Sequence, residues 1–195
     1  MKPQDDCVMI ILSSPSGAGK TTITKKLQQK YHNLKISVSH TTRKPRSNEV
    51  HGVDYFFVTK EEFEKLIKEK SFYEHAKIFD NYYGTSKKSV KNILDKKDDI
   101  LFDIDWQGTQ QLSLFKELNL IKIFILPPNK KELKKRLIQR NQDNDSIVEK
   151  RIKYYDSDIL HWSEYDYVIL NDNLENCFKQ VENIILSSKI KTKLN

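Results

Sequence analysis

The stretch Val8-Met9-Ile10-Ile11-Leu12-Ser13-Ser14-Pro15-Ser16-Gly17-Ala18-Gly19-Lys20-Thr21-Thr22 decides the fold of this chain. Its apolar run at 8–12 predicts a buried strand, and the small residues after it predict a tight loop leading into a helix near 21–31. The backbone N–H groups of such a loop, together with the positive end of the following helix, bind phosphate oxygens. Lys20 would reach the β- and γ-phosphates of a nucleotide, and the Thr21 hydroxyl would lie on a bound Mg²⁺.

The loop departs at one position from the general pattern G-x-x-x-x-G-K-[ST], because Ser14 stands where the pattern has glycine. The alternative is an ordinary strand–turn–helix joint whose glycines only shape a turn. The strand before the loop and the helix after it favour phosphate binding, although the loop alone does not indicate what is done with the nucleotide. The predicted ATP-binding residues of the loop are Ser14, Pro15, Ser16, Gly17, Ala18, Gly19, Lys20, Thr21 and Thr22.

Length and composition limit the class of protein. The 195 residues suffice for one well-cored domain with insertions or for two small domains, and 31% charged with 37% hydrophobic residues is typical of a globular chain. The longest apolar runs have about five residues, too few to cross a membrane, and residues 1–6 lack the apolar core of a signal peptide. We therefore expect no membrane partner. Because Cys7 and Cys177 are far apart and have no metal-ligand spacing, we also expect a reduced, cytoplasmic setting.

The net charge of +7 comes largely from lysines in helical patterns such as 130–136, where a solvated helix face is the default interpretation. No nucleic-acid-binding module accompanies this charge, so no nucleic-acid partner is expected. A basic surface is also typical of a protein that handles several phosphate groups at once.

Strand and helix patterns alternate along the chain, which predicts an α/β protein. Capping-box patterns at Thr59-Lys60-Glu61-Glu62 and Ser146-Ile147-Val148-Glu149 mark two helix starts, and the polar stretch 141–145 predicts a mobile turn. The predicted strands are 8–12, 36–39, 55–58, 76–79, 99–103, 121–126 and 167–170. The predicted helices are 21–31, the one that follows Thr59, 87–95, 109–118, 129–140, 147–157 and 174–190.

A second cluster of chemically active residues is Ser39-His40-Thr41-Thr42-Arg43-Lys44-Pro45-Arg46. Two arginines three positions apart, in a segment too irregular for a helix, suit a fixed anion, because the planar guanidinium matches phosphate oxygens in pairs. The alternative is a basic surface loop. Polar groups at the ends of short strand-like segments, in 54–55, 72–74 and 81–86, favour a binding site.

Several segments together resemble the guanylate kinase family. These are Ser37-Val38-Ser39-His40-Thr41-Thr42-Arg43-Lys44-Pro45-Arg46, Gly52-Val53-Asp54-Tyr55-Phe56-Phe57, Asn81-Tyr82-Tyr83-Gly84-Thr85 and Ile100-Leu101-Phe102-Asp103-Ile104-Asp105-Trp106-Gln107-Gly108. They occur in the family's order, and the match extends from Met9 to about Asn173. The family also tolerates a small residue at the position of Ser14.

The resemblance implies a P-loop three-layer α/β fold with a mostly parallel central sheet, a small α+β GMP-binding insertion and a helical lid. It divides the chain into core (1–38), GMP-binding domain (39–87), core (88–129), lid (130–157) and core (158–195). The implied activity is transfer of the γ-phosphoryl group of ATP to GMP, with dGMP as a further acceptor and Mg²⁺ as cofactor.

The resemblance also implies residue roles that agree with the chemistry of guanine. Glu74 would accept hydrogen bonds from N1 and the 2-amino group, with Asp105 as a second acceptor, while the Ser39 and Thr85 hydroxyls would donate to O6. Adenine presents the opposite pattern and would leave a buried Glu74 unpaired. The residues that match the GMP phosphate site are Arg43, Arg46, Tyr55 and Tyr83; for the two tyrosines taken singly, core packing is the alternative.

Phosphoryl transfer needs positive charge over the oxygens that become more negative. By resemblance, Arg136 and Arg151 of the lid supply that charge together with Lys20, and Arg140 lies on the same helix face as Arg136. Asp103 would orient water on Mg²⁺, and Asn171 lies where the family contacts adenine. The predicted catalytic residues are Lys20, Arg43, Arg136 and Arg151.

Three alternative functions share part of this pattern. A GTPase would share the loop but needs an Asn-Lys-x-Asp signature, which the sequence lacks. Another nucleoside-monophosphate kinase is disfavoured by Glu74 with Ser39 and Thr85. A non-enzymatic scaffold module of the guanylate-kinase-like kind is disfavoured by the intact loop. The sequence leaves the oligomeric state open.

Overall fold

The computed structural model describes residues 7–78, 80–139 and 145–194. Its strands are β1 (Met9–Ser13), β2 (Leu34–Ile36), β3 (His40–Thr41), β4 (Phe56–Phe57), β5 (Phe72–Ile78), β6 (Asn81–Ser86), β7 (Asp99–Asp103), β8 (Leu120–Leu126) and β9 (Tyr167–Leu170). Its helices are α1 (Lys20–Lys30), α2 (Lys60–Lys68), α3 (Lys87–Leu94), α4 (Trp106–Leu112), α5 (Lys130–Gln139), α6 (Asp145–Asp158) and α7 (Leu174–Leu194), with a 3-10 helix over Ile159–Glu164.

The central sheet has five strands in the order β2-β7-β1-β8-β9, and every neighbouring pair is parallel. Side chains of β1 alternate between two cores, since Ile10 and Leu12 pack with α1 and α7, whereas Met9 and Ile11 pack with α3 and α4. Helices therefore cover both faces of the sheet, which explains why β1 is apolar throughout. The predicted three-layer α/β fold with a parallel central sheet is confirmed.

A second sheet has four strands in the order β4-β3-β6-β5. Its strands come between β2 and β7 along the chain. Strand β6 runs antiparallel to both of its neighbours. Helix α2 covers this sheet through Phe63, whose ring stacks on those of Phe72 and Tyr82. The predicted capping box of α2 is present, because the Thr59 hydroxyl accepts from the Glu62 amide and the Glu62 carboxylate accepts from the Thr59 amide.

Helices α5 and α6 share a small core of their own, formed by Leu133, Leu137 and Val148 and separate from the two cores of the central sheet. The predicted mobile turn at 141–145 and the candidate Arg140 lie outside the described residues, apart from Asp145, which begins α6. No helix among residues 7–78, 80–139 and 145–194 has the length and apolarity needed to span a membrane.

Two predicted strands were wrong in extent. Strand β5 begins at Phe72 rather than at 76, because Phe72, Glu74 and Ala76 form its buried face and the central carboxylate hides the apolar alternation. Residues 81–86 form the complete strand β6, which the sequence indicated only as polar groups at strand ends. Backbone hydrogen bonds to β3 and β5 stabilise this strand. Of the strand predicted at 36–39, only Ile36 lies in a strand, at the end of β2, and β3 begins after it at His40.

Three helices also have boundaries that differ from the prediction. Helix α4 begins at Trp106 instead of 109 because the Asp105 side chain caps it by accepting from the Gly108 amide, and it ends at Leu112 instead of 118. Helix α6 begins at Asp145, so Ser146 lies within its first turn and is not the cap. Helix α7 continues beyond 190 to Leu194.

Candidate active site

The loop between β1 and α1 has the backbone of a phosphate-binding loop. Gly17 and Gly19 have φ angles of 94° and 103°, a left-handed conformation that glycine adopts without strain. Helix α1 begins directly after Gly19, so its first N–H groups lie at the mouth of the loop. A Cβ atom on Gly17 would lie 2.9 Å from Leu137 Cγ, which shows that α5 packs directly against the loop.

Lys20 lies between the loop and the carboxyl end of β7. Its ammonium group forms an ion pair with Asp103 and donates to the Ile104 carbonyl at 3.3 Å. Thr21 follows in the first turn of α1 with an exposed side chain. A hydroxyl and a carboxylate are hard oxygen ligands of the kind that Mg²⁺ prefers, so the donor chemistry at Thr21 and Asp103 fits this ion.

The predicted lid arginines contact the region of the loop from two helices. Arg151 of α6 donates to the Ser16 hydroxyl at 2.8 Å. Arg136 of α5 donates to the Asn171 carbonyl at 3.1 Å and to the Glu132 carboxylate at 3.2 Å. Two guanidinium groups therefore lie near the loop that carries Lys20.

Asn171 is buried behind the loop rather than lying in the open cleft. Its side-chain amide donates to the Ala18 carbonyl at 2.7 Å, and a Cβ atom added to Gly19 would collide with the same amide nitrogen. The side chain therefore holds the loop in shape. A contact between Asn171 and adenine stays a prediction.

Arg43 and Arg46 converge on Glu49, which the sequence interpretation missed. Arg43 Nη2 lies 2.8 Å and Arg46 Nη1 lies 3.5 Å from Glu49 Oε1, and the Arg46 amide donates to Oε2 at 2.9 Å. Burial opposes ionisation of Glu49, but these hydrogen bonds prevail and hold its pKa below the ordinary value. The spacing of the three charges along 43–49 is the signal that could have identified the carboxylate.

Two tyrosines support this pair of arginines. The Arg43 guanidinium lies over the Tyr55 ring, 5.4 Å from its centroid, and the Tyr55 and Tyr83 rings are 6.0 Å apart. Burial raises the pKa of the Tyr55 hydroxyl far above its ordinary value, so this group remains a hydrogen-bond donor at neutral pH.

Glu74 is a buried carboxylate, with 4% of its surface exposed, on strand β5. Burial raises its pKa to about 7, and the nearby charge of Asp105 adds to the rise while Thr85 offsets part of it. Helix α4 closes over it, since a Cβ atom on Gly108 would lie 2.7 Å from Glu74 Oε2. A carboxylate buried in this way without a positively charged partner is costly and is typical of a ligand site.

Hydroxyl groups accompany Glu74. Thr85 pairs with it across β5 and β6, and the buried Thr85 Oγ1 lies near enough to lower the pKa of Glu74 but makes no well-formed hydrogen bond among the described atoms. Ser39 is buried at the start of β3. An unpartnered hydroxyl beside a buried carboxylate is complementary to a ligand edge with both donors and an acceptor.

One cleft of about 1250 Å³ joins these groups. Its wall contains every predicted site residue except Ala18, Thr85 and Asn171, which are buried behind it. Typical small-molecule sites occupy about 300–1,000 Å³, so this volume suits two ligands. Asp158 and Trp106 also line the cleft, and the sequence interpretation assigned neither of them a role.

A parallel α/β sheet with a phosphate-binding loop, a second arginine site and arginine-bearing helices defines a P-loop nucleotide-kinase architecture. A model of the family described as guanylate kinase matches residues 7–188. The chain is similar to the guanylate kinase of Rickettsia bellii (strain RML369-C), with 50% identity over 94% of this chain and 96% of the relative. It is similar to that of Paramagnetospirillum magneticum (strain ATCC 700264 / AMB-1), with 45% identity over 94% and 86%.

Among solved structures, the guanylate kinase from Anaplasma phagocytophilum matches with a TM-score of 0.77 and 36% identity, covering 94% of this chain and 86% of that one. The chain therefore belongs to the guanylate kinase family.

Proposed function

We infer that this guanylate kinase family member transfers the γ-phosphoryl group of ATP to GMP, giving ADP and GDP, and we propose the following roles for its residues. The observation that carries the proposal is the buried Glu74 carboxylate, which lines the same cleft as Lys20 and has the buried Thr85 hydroxyl beside it, behind the cleft wall. A guanine edge would satisfy both groups, because its N1 and 2-amino groups donate and its O6 accepts.

The loop binds the phosphates of ATP in this proposal. Backbone N–H groups of the loop and of the first turn of α1 point at phosphate oxygens, and Lys20 moves from Asp103 to the β- and γ-phosphates when ATP arrives. Asn171 supports the loop and borders the adenine. The proposed ATP-binding residues are Ser14, Pro15, Ser16, Gly17, Ala18, Gly19, Lys20, Thr21, Thr22 and Asn171.

Arg43 and Arg46 bind the phosphate of GMP. Their shared partner Glu49 holds the two guanidinium groups side by side, which reduces the cost of ordering them when the phosphate binds. Tyr55 and Tyr83 add hydroxyl donors. The proposed guanine contacts are Glu74, Asp105, Ser39 and Thr85.

Mg²⁺ would be held by the Thr21 hydroxyl and, through water, by Asp103. When bound with ATP, it neutralises charge on the β- and γ-phosphate oxygens. Magnesium in kinases typically keeps several waters and takes only one or two protein ligands. The pair of oxygen donors at this end of the cleft agrees with that pattern.

Arg136 and Arg151 stabilise the charge that develops on the transferred group, together with Lys20. We propose that 130–157 acts as a lid and 39–87 as a GMP-binding domain around the core formed by 1–38, 88–129 and 158–195. Separate packing of α5 and α6 supports this division. Closure of the lid would exclude water, which would otherwise accept the phosphoryl group. We further propose a cytoplasmic location and use of dGMP as an acceptor.

An assay with ATP, Mg²⁺ and each of GMP, AMP, CMP and UMP tests the proposal. We expect turnover with GMP, at least about 10³-fold less with AMP, and loss of activity in Lys20→Ala. Folded protein that binds GMP without turning it over would favour the scaffold-module alternative. Comparable turnover of AMP would show that Glu74 does not select guanine over adenine.

A further inference from the structure

Trp106 joins the start of α4 to the end of α6. Its indole Nε1 donates to Asp158 Oδ1 at 3.2 Å. The indole ring also stacks on His161 of the 3-10 helix, with ring centroids 3.7 Å apart and an interplanar angle of 8°. His161 Nδ1 in turn lies 2.6 Å from Glu164 Oε1. The stack fixes the plane of the indole, and hence the direction in which its N–H group points.

Asp158 is the last residue of α6 and lies in the wall of the cleft. It occupies the N-cap position of the 3-10 helix, but its side chain makes no capping hydrogen bond there. Burial raises the pKa of Asp158 to about 6, a net value that the hydrogen bond from Trp106 lowers and the charge of Asp105 raises, so the carboxylate is ionised at pH 8. A hydrogen bond to an ionised, half-buried acceptor is one of the stronger kinds.

Arg151 lies seven residues, or two helical turns, before Asp158 and therefore on the same face of α6. This face contacts the loop through Arg151 and Ser16, 2.8 Å apart, and contacts α4 through Asp158 and Trp106. These two contacts anchor this face of α6, one at the proposed catalytic arginine and one beyond it; the helix also forms an exposed ion pair between Lys150 and Asp80.

The apolar contacts of α6 do not by themselves fix its position against the core. Val148, Ile152 and Tyr155 pack on α5 in a cluster that is separate from the two cores of the central sheet. This cluster reaches the loop only by way of α5, through Leu137, whereas the contact to Trp106 acts on α6 directly.

We propose that Trp106 is a positioning residue, whose hydrogen bond to Asp158 orients α6 so that Arg151 reaches the phosphate-binding loop. This inference rests on the proposed role of Arg151. Trp106 does not touch the reacting phosphates; it acts through the helix.

Trp106→Phe tests the proposal at pH 8, because phenylalanine keeps a ring over His161 but removes the N–H donor. We expect kcat to fall about ten-fold while KM for GMP stays within about two-fold. Trp162→Phe is the matched control, since Trp162 belongs to the same 3-10 helix and is 52% exposed; this variant should retain wild-type kcat. An unchanged kcat in Trp106→Phe, or a raised KM for GMP alone, would overturn the proposal.

A double-mutant cycle separates positioning from general damage. Arg151→Ala alone should lower kcat about a hundred-fold, and adding Trp106→Phe should lower it by less than about two-fold more, because the misplaced arginine is already gone. Effects that multiply would overturn the role of Trp106. No loss in Arg151→Ala would instead refute the proposed role of Arg151 itself, so the two failures are distinguishable.

Substitutions at Asp158 test the same contact from the other side. Asp158→Ala should lower kcat about ten-fold, whereas Asp158→Asn, whose side-chain oxygen still accepts from the indole, should recover most of that loss. Equal losses in the two variants would show that the carboxylate acts by its charge and not through Trp106. This pair also decides the question if Trp106→Phe does not fold.

Discussion

Glu74→Gln should stabilise the folded protein at alkaline pH while weakening its binding of GMP. In the unfolded chain this carboxyl group loses its proton near its ordinary pKa of 4.5, whereas in the folded protein it does so at about 7. Its contribution to stability is therefore complete below the unfolded value and is lost as the pH rises through the folded value. Glutamine has no such proton to lose.

The magnitude follows from the two pKa values. The difference between them corresponds to about 3 kcal/mol, and the carboxylate is almost fully buried, so solvent screens little of this cost. We expect Glu74→Gln to match the wild type within about 1 kcal/mol at pH 5 and to exceed it by up to about 3 kcal/mol at pH 8.5. For a chain of this size that is a rise in Tm of roughly 6 to 12 °C.

Thermal unfolding of the nucleotide-free protein, followed by circular dichroism from pH 5 to 8.5, measures this difference. Glu64→Gln is the matched control, because Glu64 lies on the exposed face of α2 and should show no such pH dependence. A Tm difference between Glu74→Gln and the wild type that stays constant across this pH range would refute the reasoning.

The same variant should bind GMP about 10²- to 10³-fold more weakly, since its amide group cannot accept both guanine donors. Affinity for ATP should stay within about two-fold, because Glu74 lies on β5 and not in the loop. Calorimetric titration with each nucleotide measures both effects. An equal loss of the two affinities would point to general distortion of the cleft.

Three further outcomes are expected. Gly19→Ala should weaken ATP binding about ten- to hundred-fold and leave GMP binding intact, because it strains a φ of 103° and displaces the Asn171 amide; titration with each nucleotide checks this. KM for GMP in the wild type should rise about ten-fold per pH unit below 7, because Glu74 gains a proton there. KM of the Glu74→Gln variant should rise less over the same pH range. Parallel pH profiles of KM in the two proteins would show that another group is responsible. Arg43→Lys should raise KM for GMP about ten-fold, since lysine lacks the fork that now contacts Glu49, and initial rates at varied GMP would contradict this if KM were unchanged.

Local signals account for the parts of the fold that the sequence predicted well. The strand–loop–helix at 8–31, the buried strand Asp99–Asp103 and the capping box at Thr59 each depend on neighbours within a few residues. Strand β6 could not be identified in this way, because its polar and aromatic residues become a strand through pairing with β3 and β5.

Some residues of the candidate site can likewise be identified from local sequence signals, and others cannot. The loop and the two arginines of 43–46 are recognisable from residue type and spacing, and Glu74 could be assigned only through the family resemblance. The contacts of Glu49 with the arginines span at most six positions, so the charge spacing along 43–49 could have indicated them. The contact of Trp106 with Asp158 depends on tertiary structure, which brings residues 52 positions apart to 3.2 Å.

Label transfer from ATP tests the central claim, direct movement of a phosphoryl group between two nucleotides in one cleft. The protein is incubated with Mg²⁺, GMP and ATP labelled at the γ-phosphate, and the nucleotides are then separated. We expect label in GDP, none in inorganic phosphate beyond the protein-free control, and at least about 10³-fold less labelled product when AMP replaces GMP. Label released as inorganic phosphate, or label that stays in ATP although the protein is folded, would contradict direct transfer.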